Sequence, residues 1–109
     1  MKPYMTDNEI NLFAKYRDKS DRYFEWGCGG STYFCKDKCS ITSIDNNYEW
    51  VQKIIKDFEG RILYVDVGRV GEWGVPAEPY EKDKWSAYAK AWNLREQDTD
   101  LILIDRLVS

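Results

Sequence analysis

The chain has 109 residues, of which 43% are hydrophobic and 16% aromatic, and its formal net charge is −3. That is the size of one domain with enough apolar material for a packed core, which excludes wholesale disorder. The acidic balance, with a pI near 5.0, speaks against a phosphate-gripping nucleic-acid binder, and no run approaches the roughly 18–20 apolar residues of a membrane span.

The opening MKPYMTDNEI has no apolar stretch after its lysine. No signal peptide is therefore expected, and a cytoplasmic location follows. Cys28, Cys35 and Cys39 are odd in number and form no CxxC pair, so free thiols are expected. The chain contains no histidine. That removes Ser–His and Cys–His nucleophile systems and leaves a tetrahedral zinc site short of a ligand, so no metal is expected.

In chain order, 6–18 (TDNEINLFAKYRD) reads as a helix. Thr6 and Glu9 have capping-box spacing, and Ile10, Phe13 and Ala14 share one face. Residues 22–26 (RYFEW) read as a strand. Gly27, Gly29 and Gly30 follow, then a short helix in STYFCKDKC with Ser31 or Thr32 as its cap. SITSID (40–45) alternates apolar with polar and predicts a second strand. Asn46 or Asn47 caps the next helix, whose stripe is Trp50, Val51, Ile54, Ile55 and Phe58, with Gly60 in a C-cap place. RILYVDV (61–67) predicts the third strand. The stretch GRVGEWGVPAEPYEKDK is too rich in turn formers for regular structure. WSAYAKAWNLR (85–95) has helical spacing at Trp85, Tyr88, Ala89 and Trp92, which reads as core packing. DLILID (100–105) predicts the fourth strand.

Strands alternating with helices mean a parallel sheet with right-handed crossovers, and near-solid apolar runs predict burial on both faces. In such a sheet, ligands bind beyond the carboxyl ends of the strands. Glu25, Asp45, Asp66 and Asp105 stand at those ends. Singly, each reads equally well as a solvent-facing strand end; the four together with the glycine loop favour a cleft. The glycines allow a sharp turn and close approach of a ligand to the main chain. The run Gly27-Cys28-Gly29-Gly30-Ser31-Thr32 lacks the third glycine of the dinucleotide fingerprint. An acid two residues before it suits a cationic group better than a pyrophosphate, and an acid ending the second strand suits ribose hydroxyls.

YFEWGCGGST, ITSIDNNYEWV, YVDVGRVGEWGVP and DLILID, in that order, resemble the amino-terminal half of a class I S-adenosylmethionine-dependent methyltransferase. More narrowly, they resemble a small bacterial and viral group with an EWGSGGST-like first motif and a GEWG loop after the third strand. The resemblance covers roughly residues 20–105. It implies that Glu25 lies near the methionine moiety, that Gly27, Gly29 and Gly30 floor the cofactor, and that Asp45 binds the ribose. It implies further that Asn46 and Asp66 lie by the adenine and that Asp105 sits beside the reactive end, as the candidate general base. Cys28 stands where the group has a small residue.

The expectation is therefore an α/β, Rossmann-like three-layer domain over 1–109, with a parallel sheet in order 3-2-1-4, truncated before the carboxyl-terminal strands of the full fold. S-adenosylmethionine is the expected cofactor, with methyl transfer to an unnamed acceptor. Two alternatives are a non-catalytic methyltransferase remnant acting through protein contacts and a nucleotide- or NAD-binding Rossmann domain. An unpaired fourth-strand edge would invite a homo-oligomer. The Trp73 loop reads equally as a lid or as a surface loop.

Overall fold

The computed structural model describes residues 2–66 and 82–104. Helix α1 spans Asp7–Asp18, strand β1 Arg22–Trp26, α2 Gly30–Cys35, β2 Ser40–Asp45 and α3 Tyr48–Ile54. A 3-10 turn (Ile55–Asp57) leads to β3, Arg61–Tyr64. Helix α4 (Lys82–Ala89) continues as a 3-10 turn to Leu94, and β4 is Leu101–Ile104. The four strands are parallel, as the alternation of strands and helices predicts, and their order is β3-β2-β1-β4, the order expected with the family resemblance.

Local chemistry explains most of the elements. Thr6 Oγ1 accepts from Glu9 N at 3.2 Å while Thr6 N donates to Glu9 Oε1 at 2.9 Å, so the capping box forms as spaced. Asn47 caps α3 by accepting from Trp50 N at 3.0 Å. Val51 and Ile54 are buried from that helix, each worth about 1.5–3 kcal/mol in removed apolar surface.

Side chains alternate across the sheet and build two cores. Tyr23, Ile41 and Ile62 face α1, α2 and α3, where Phe13 stacks on Phe34 with centroids 5.2 Å apart. Phe24 and Ile44 face the other way, against Tyr88 and Ala91, with Trp26 and Trp92 beside them. Helices thus lie on both faces, giving three layers.

The structure corrects several expectations. The N-cap of α2 is Gly29, not Ser31 or Thr32, because those two hydroxyls are drawn into the core. Helix α3 stops at Ile54 and tightens into the 3-10 turn, leaving Ile55 39% exposed rather than core. Gly60 is not the cap of that turn; Phe58 is. A Cβ at Gly60 would lie 2.9 Å from Ile41 O, so this glycine lets the chain pass close over β2. Strand β3 ends at Tyr64 and α4 begins at Lys82. The edge strands are not buried on both faces: Ile102 is 45% and Ile104 67% exposed. The Trp73 loop lies outside the described residues, as does the side chain of Trp85.

Candidate functional site

The turn after β1 is held by its own backbone partners. Gly27 has φ 90°, the left-handed region that favours glycine, so the chain reverses here. Gly27 N donates to Ile44 O at 2.6 Å. Cys28 N donates to Asp45 Oδ2 at 2.9 Å, and Gly29 N to Thr32 Oγ1 at 2.9 Å. Cys28 O accepts the indole N–H of Trp50 at 2.8 Å, and Gly29 O accepts from Tyr33 N at 3.1 Å. The loop is thus rigid and pre-formed.

Glu25 lies below this loop, fully buried. Its Oε1 accepts from Tyr23 Oη at 2.6 Å and Ser31 Oγ at 2.5 Å; its Oε2 accepts from Ser43 Oγ at 2.6 Å and from Thr32 Oγ1. Four hydroxyls occupy a carboxylate that has about four acceptor sites. Strand alternation explains the gathering: Tyr23 and Glu25 share a face of β1, and Ser43 is the register partner of Glu25 on β2. Burial pushes the Glu25 carboxyl upward from its ordinary value, against the opposing pull of the hydroxyl donors. Tyr23 is pushed up as well, by burial and then by the neighbouring Glu25.

Asp45, at the carboxyl end of β2, is also fully buried. Its Oδ2 takes the Cys28 N–H and its Oδ1 takes the Asn47 N–H at 2.9 Å. Asn46 is half-buried beside it and Asp66 is exposed beyond β3. Asp45, Asn46 and the glycines therefore meet at the carboxyl ends of β1 and β2, with Glu25 buried beneath the loop and Asp66 beyond β3. Asp105 lies outside the described residues.

The three glycines differ. Gly27 makes the turn. A Cβ at Gly29 would have no atom of the described residues within 4 Å, so among those residues this position faces open space. A Cβ at Gly30 would instead collide with the carbonyl of Lys2 and lie 2.7 Å from Pro3 N. The close approach there is made by the chain's own segment before α1, which local sequence reading does not anticipate.

The Asp45 carboxylate buried under the loop makes the rim electronegative, and the N–H groups of Gly27, Cys28 and Gly29 are already donated within the chain. That suits a cationic ligand and removes three donors a pyrophosphate would need. Burial, followed by the charge of Asp45, pushes the Cys28 thiol up, which keeps it in the unreactive thiol form.

Sequence reasoning missed the clasp of Tyr23, Ser31, Thr32 and Ser43 around Glu25, and the indole hold of Trp50. For Ser43 the signal was present, since β2 alternation puts its hydroxyl on the face of Ile41. A separate hollow of about 830 Å³ opens at the amino ends of the strands, between Asp21, Lys36, Ser40, Lys56 and Gly60. It lies a strand length, about 17 Å, from the glycine loop. Its rim mixes lysines with acids, and the pre-formed turn and buried acceptors stand at the other end. Among the described residues, no helix is long and apolar enough to cross a membrane, and no group of three or more His, Cys, Asp or Glu is placed to hold a metal.

No family model matches the chain, and no curated protein matches it in sequence. Its fold is similar to the crystal structure of a methyltransferase-like protein from Silicibacter pomeroyi. The TM-score is 0.75 at 22% identity, over 95% of this chain. The chain spans 60% of that protein's length. The likeness shows the fold alone: a Rossmann-like α/β domain with its parallel sheet in the order β3-β2-β1-β4.

Proposed function

We propose that this chain is an S-adenosylmethionine-binding, methyltransferase-like domain, with the cofactor lying along the carboxyl rim of β1, β2 and β3. The observation that carries the reading is the turn at Gly27–Gly30: rigid, poor in free donors, underlain by the Asp45 carboxylate and, among the described residues, open to space at Gly29. A neutral floor of main chain over buried negative charge fits a sulfonium with an amino-acid end. It fits the anionic pyrophosphate of NAD poorly, and the Rossmann nucleotide alternative is the weaker for it.

In this reading the methionine end lies over Gly29, with Gly27 and Gly30 shaping the floor. The ribose lies toward Asp45, and the adenine toward Asn46 and Asp66. Asp105 takes the place of the weak general base near the acceptor. Glu25 has a different part from direct contact with an ammonium. Its carboxylate holds Ser31 and Thr32, and Thr32 holds Gly29 N, so Glu25 fixes the floor through a chain of hydrogen bonds. When bound, the cofactor supplies an electrophilic methyl group for an acceptor nucleophile; the chain contributes orientation and field.

A second reading is a non-catalytic module. It is favoured by the exposed Ile102 and Ile104 on β4, which among the described strands pairs with β1 alone. In that case the β4 edge takes a second copy or another chain.

Titration calorimetry with S-adenosylmethionine and S-adenosylhomocysteine tests the proposal. Binding is expected, along with a thermal-shift gain of about 2.7 kcal/mol at a hundredfold excess over Kd. Gly29→Leu, which fills open space without touching a loop hydrogen bond, should abolish it while the protein stays folded. No heat from the folded wild type would leave the non-catalytic module. Displacement by NAD but not by S-adenosylhomocysteine would favour the nucleotide reading.

A further inference from the structure

We infer that the segment Lys2–Met5 is a strap that closes over the glycine loop and retains a ligand lying beside Gly29; this rests on the cofactor reading above. The segment has one docked point. Pro3 is buried while Lys2 and Tyr4 on either side are exposed, Tyr4 at 93%. The docking is main chain against main chain: the Lys2 carbonyl and the Pro3 nitrogen occupy the space a Cβ at Gly30 would need. The far end is anchored, since Met5 packs against the core cluster of Phe13 and Tyr23, and Thr6 begins the capping box of α1. Between dock and anchor the segment is closed by the bond from Met5 N to Pro3 O at 3.0 Å. A segment fixed at one end and seated at a single residue at the other has the geometry of a hinged cover. Beside its seat, Gly29 faces open space among the described residues. A ligand there touches loop and strap together, and the strap lifts to admit or release it.

Hydrogen exchange on the wild type with and without S-adenosylhomocysteine tests this, alongside ligand dissociation rates. The ligand should slow exchange at Tyr4 and Met5. Gly30→Ala, which lifts the strap, should speed dissociation by about tenfold, an effect in the off-rate. Removing Met1–Pro3 should speed it as much, and adding Gly30→Ala to that shortened chain should change it no further, since the two act through one contact. Tight binding with unchanged strap exchange and an unchanged off-rate in the shortened chain would overturn the strap and leave the cofactor reading intact. So would a Gly30→Ala effect that survives removal of the strap. No binding by the folded wild type would overturn both. The exchange experiment needs no variant, so a misfolded Gly30→Ala does not decide the matter.

Discussion

Asp45 and Asp100 each accept two backbone N–H groups, but at opposite rims of the sheet and in opposite surroundings. Asp45 takes Cys28 N and Asn47 N inside the protein, with no side-chain exposure. Asp100 takes Asp21 N and Arg22 N at 3.0 and 2.9 Å, in water. The donors at the amino rim can turn to solvent if their acceptor is lost. The Cys28 N–H at the carboxyl rim cannot. The same chemistry is therefore a convenience at one end and a requirement at the other, and the requirement falls where the candidate site is built.

The largest expected effect is at the buried rim. Asp45→Ala strands the buried Cys28 donor, while the Asn47 donor can turn to water, and should cost about 1–3 kcal/mol in urea unfolding, the usual range for a buried unsatisfied group. Asp100→Ala should cost about 1 kcal/mol or less, because water replaces it. Equal losses would break the comparison.

Next comes pH. Glu25 has its carboxyl raised in the fold by burial. A raised acid favours folding while it is protonated, and this contribution is lost as pH rises through its folded value. Stability should therefore decline upward from about the ordinary 4.5, and Glu25→Gln should flatten that slope. Asp100 is lowered by the two backbone donors. Its contribution has the opposite sign: present above its ordinary 3.8 and lost as pH falls. A Tm-against-pH series for the two variants separates them; a Glu25→Gln profile parallel to wild type would refute the assignment.

The smallest expected effect is at the β4 edge. Ile104 is 67% exposed, so Ile104→Lys should change stability by no more than about 0.5 kcal/mol. If the edge takes a partner chain, the same variant should reduce the apparent mass in sedimentation without loss of fold.

Much of the architecture was legible because it is written in local pattern. The capping box of α1, the Asn47 cap and strands β1 and β2 depend on residues within a few positions of one another. The order 3-2-1-4 followed from alternation plus crossover handedness and the family resemblance. The places of Glu25 and Asp45 at the carboxyl ends of β1 and β2 were legible too, though both side chains are turned into the protein. What was not legible depends on distant pairings. Ser31 and Thr32 have the composition of caps, yet their hydroxyls meet Glu25. Gly30 reads as a ligand-facing glycine, yet it faces Lys2 and Pro3. The solid apolar run of β4 predicts burial, yet no described element covers Ile102 and Ile104 as closely as α4 covers Phe24.

By itself, the sequence determined which elements form, because hydrogen-bonding period and capping act over three or four residues. It also determined that acids and glycines gather at the strand ends. Only the tertiary structure decided which way each of those groups is turned. A buried carboxylate takes whatever donors the packed neighbours present, and here Glu25 found four hydroxyls from three elements that are adjacent only once the chain has folded.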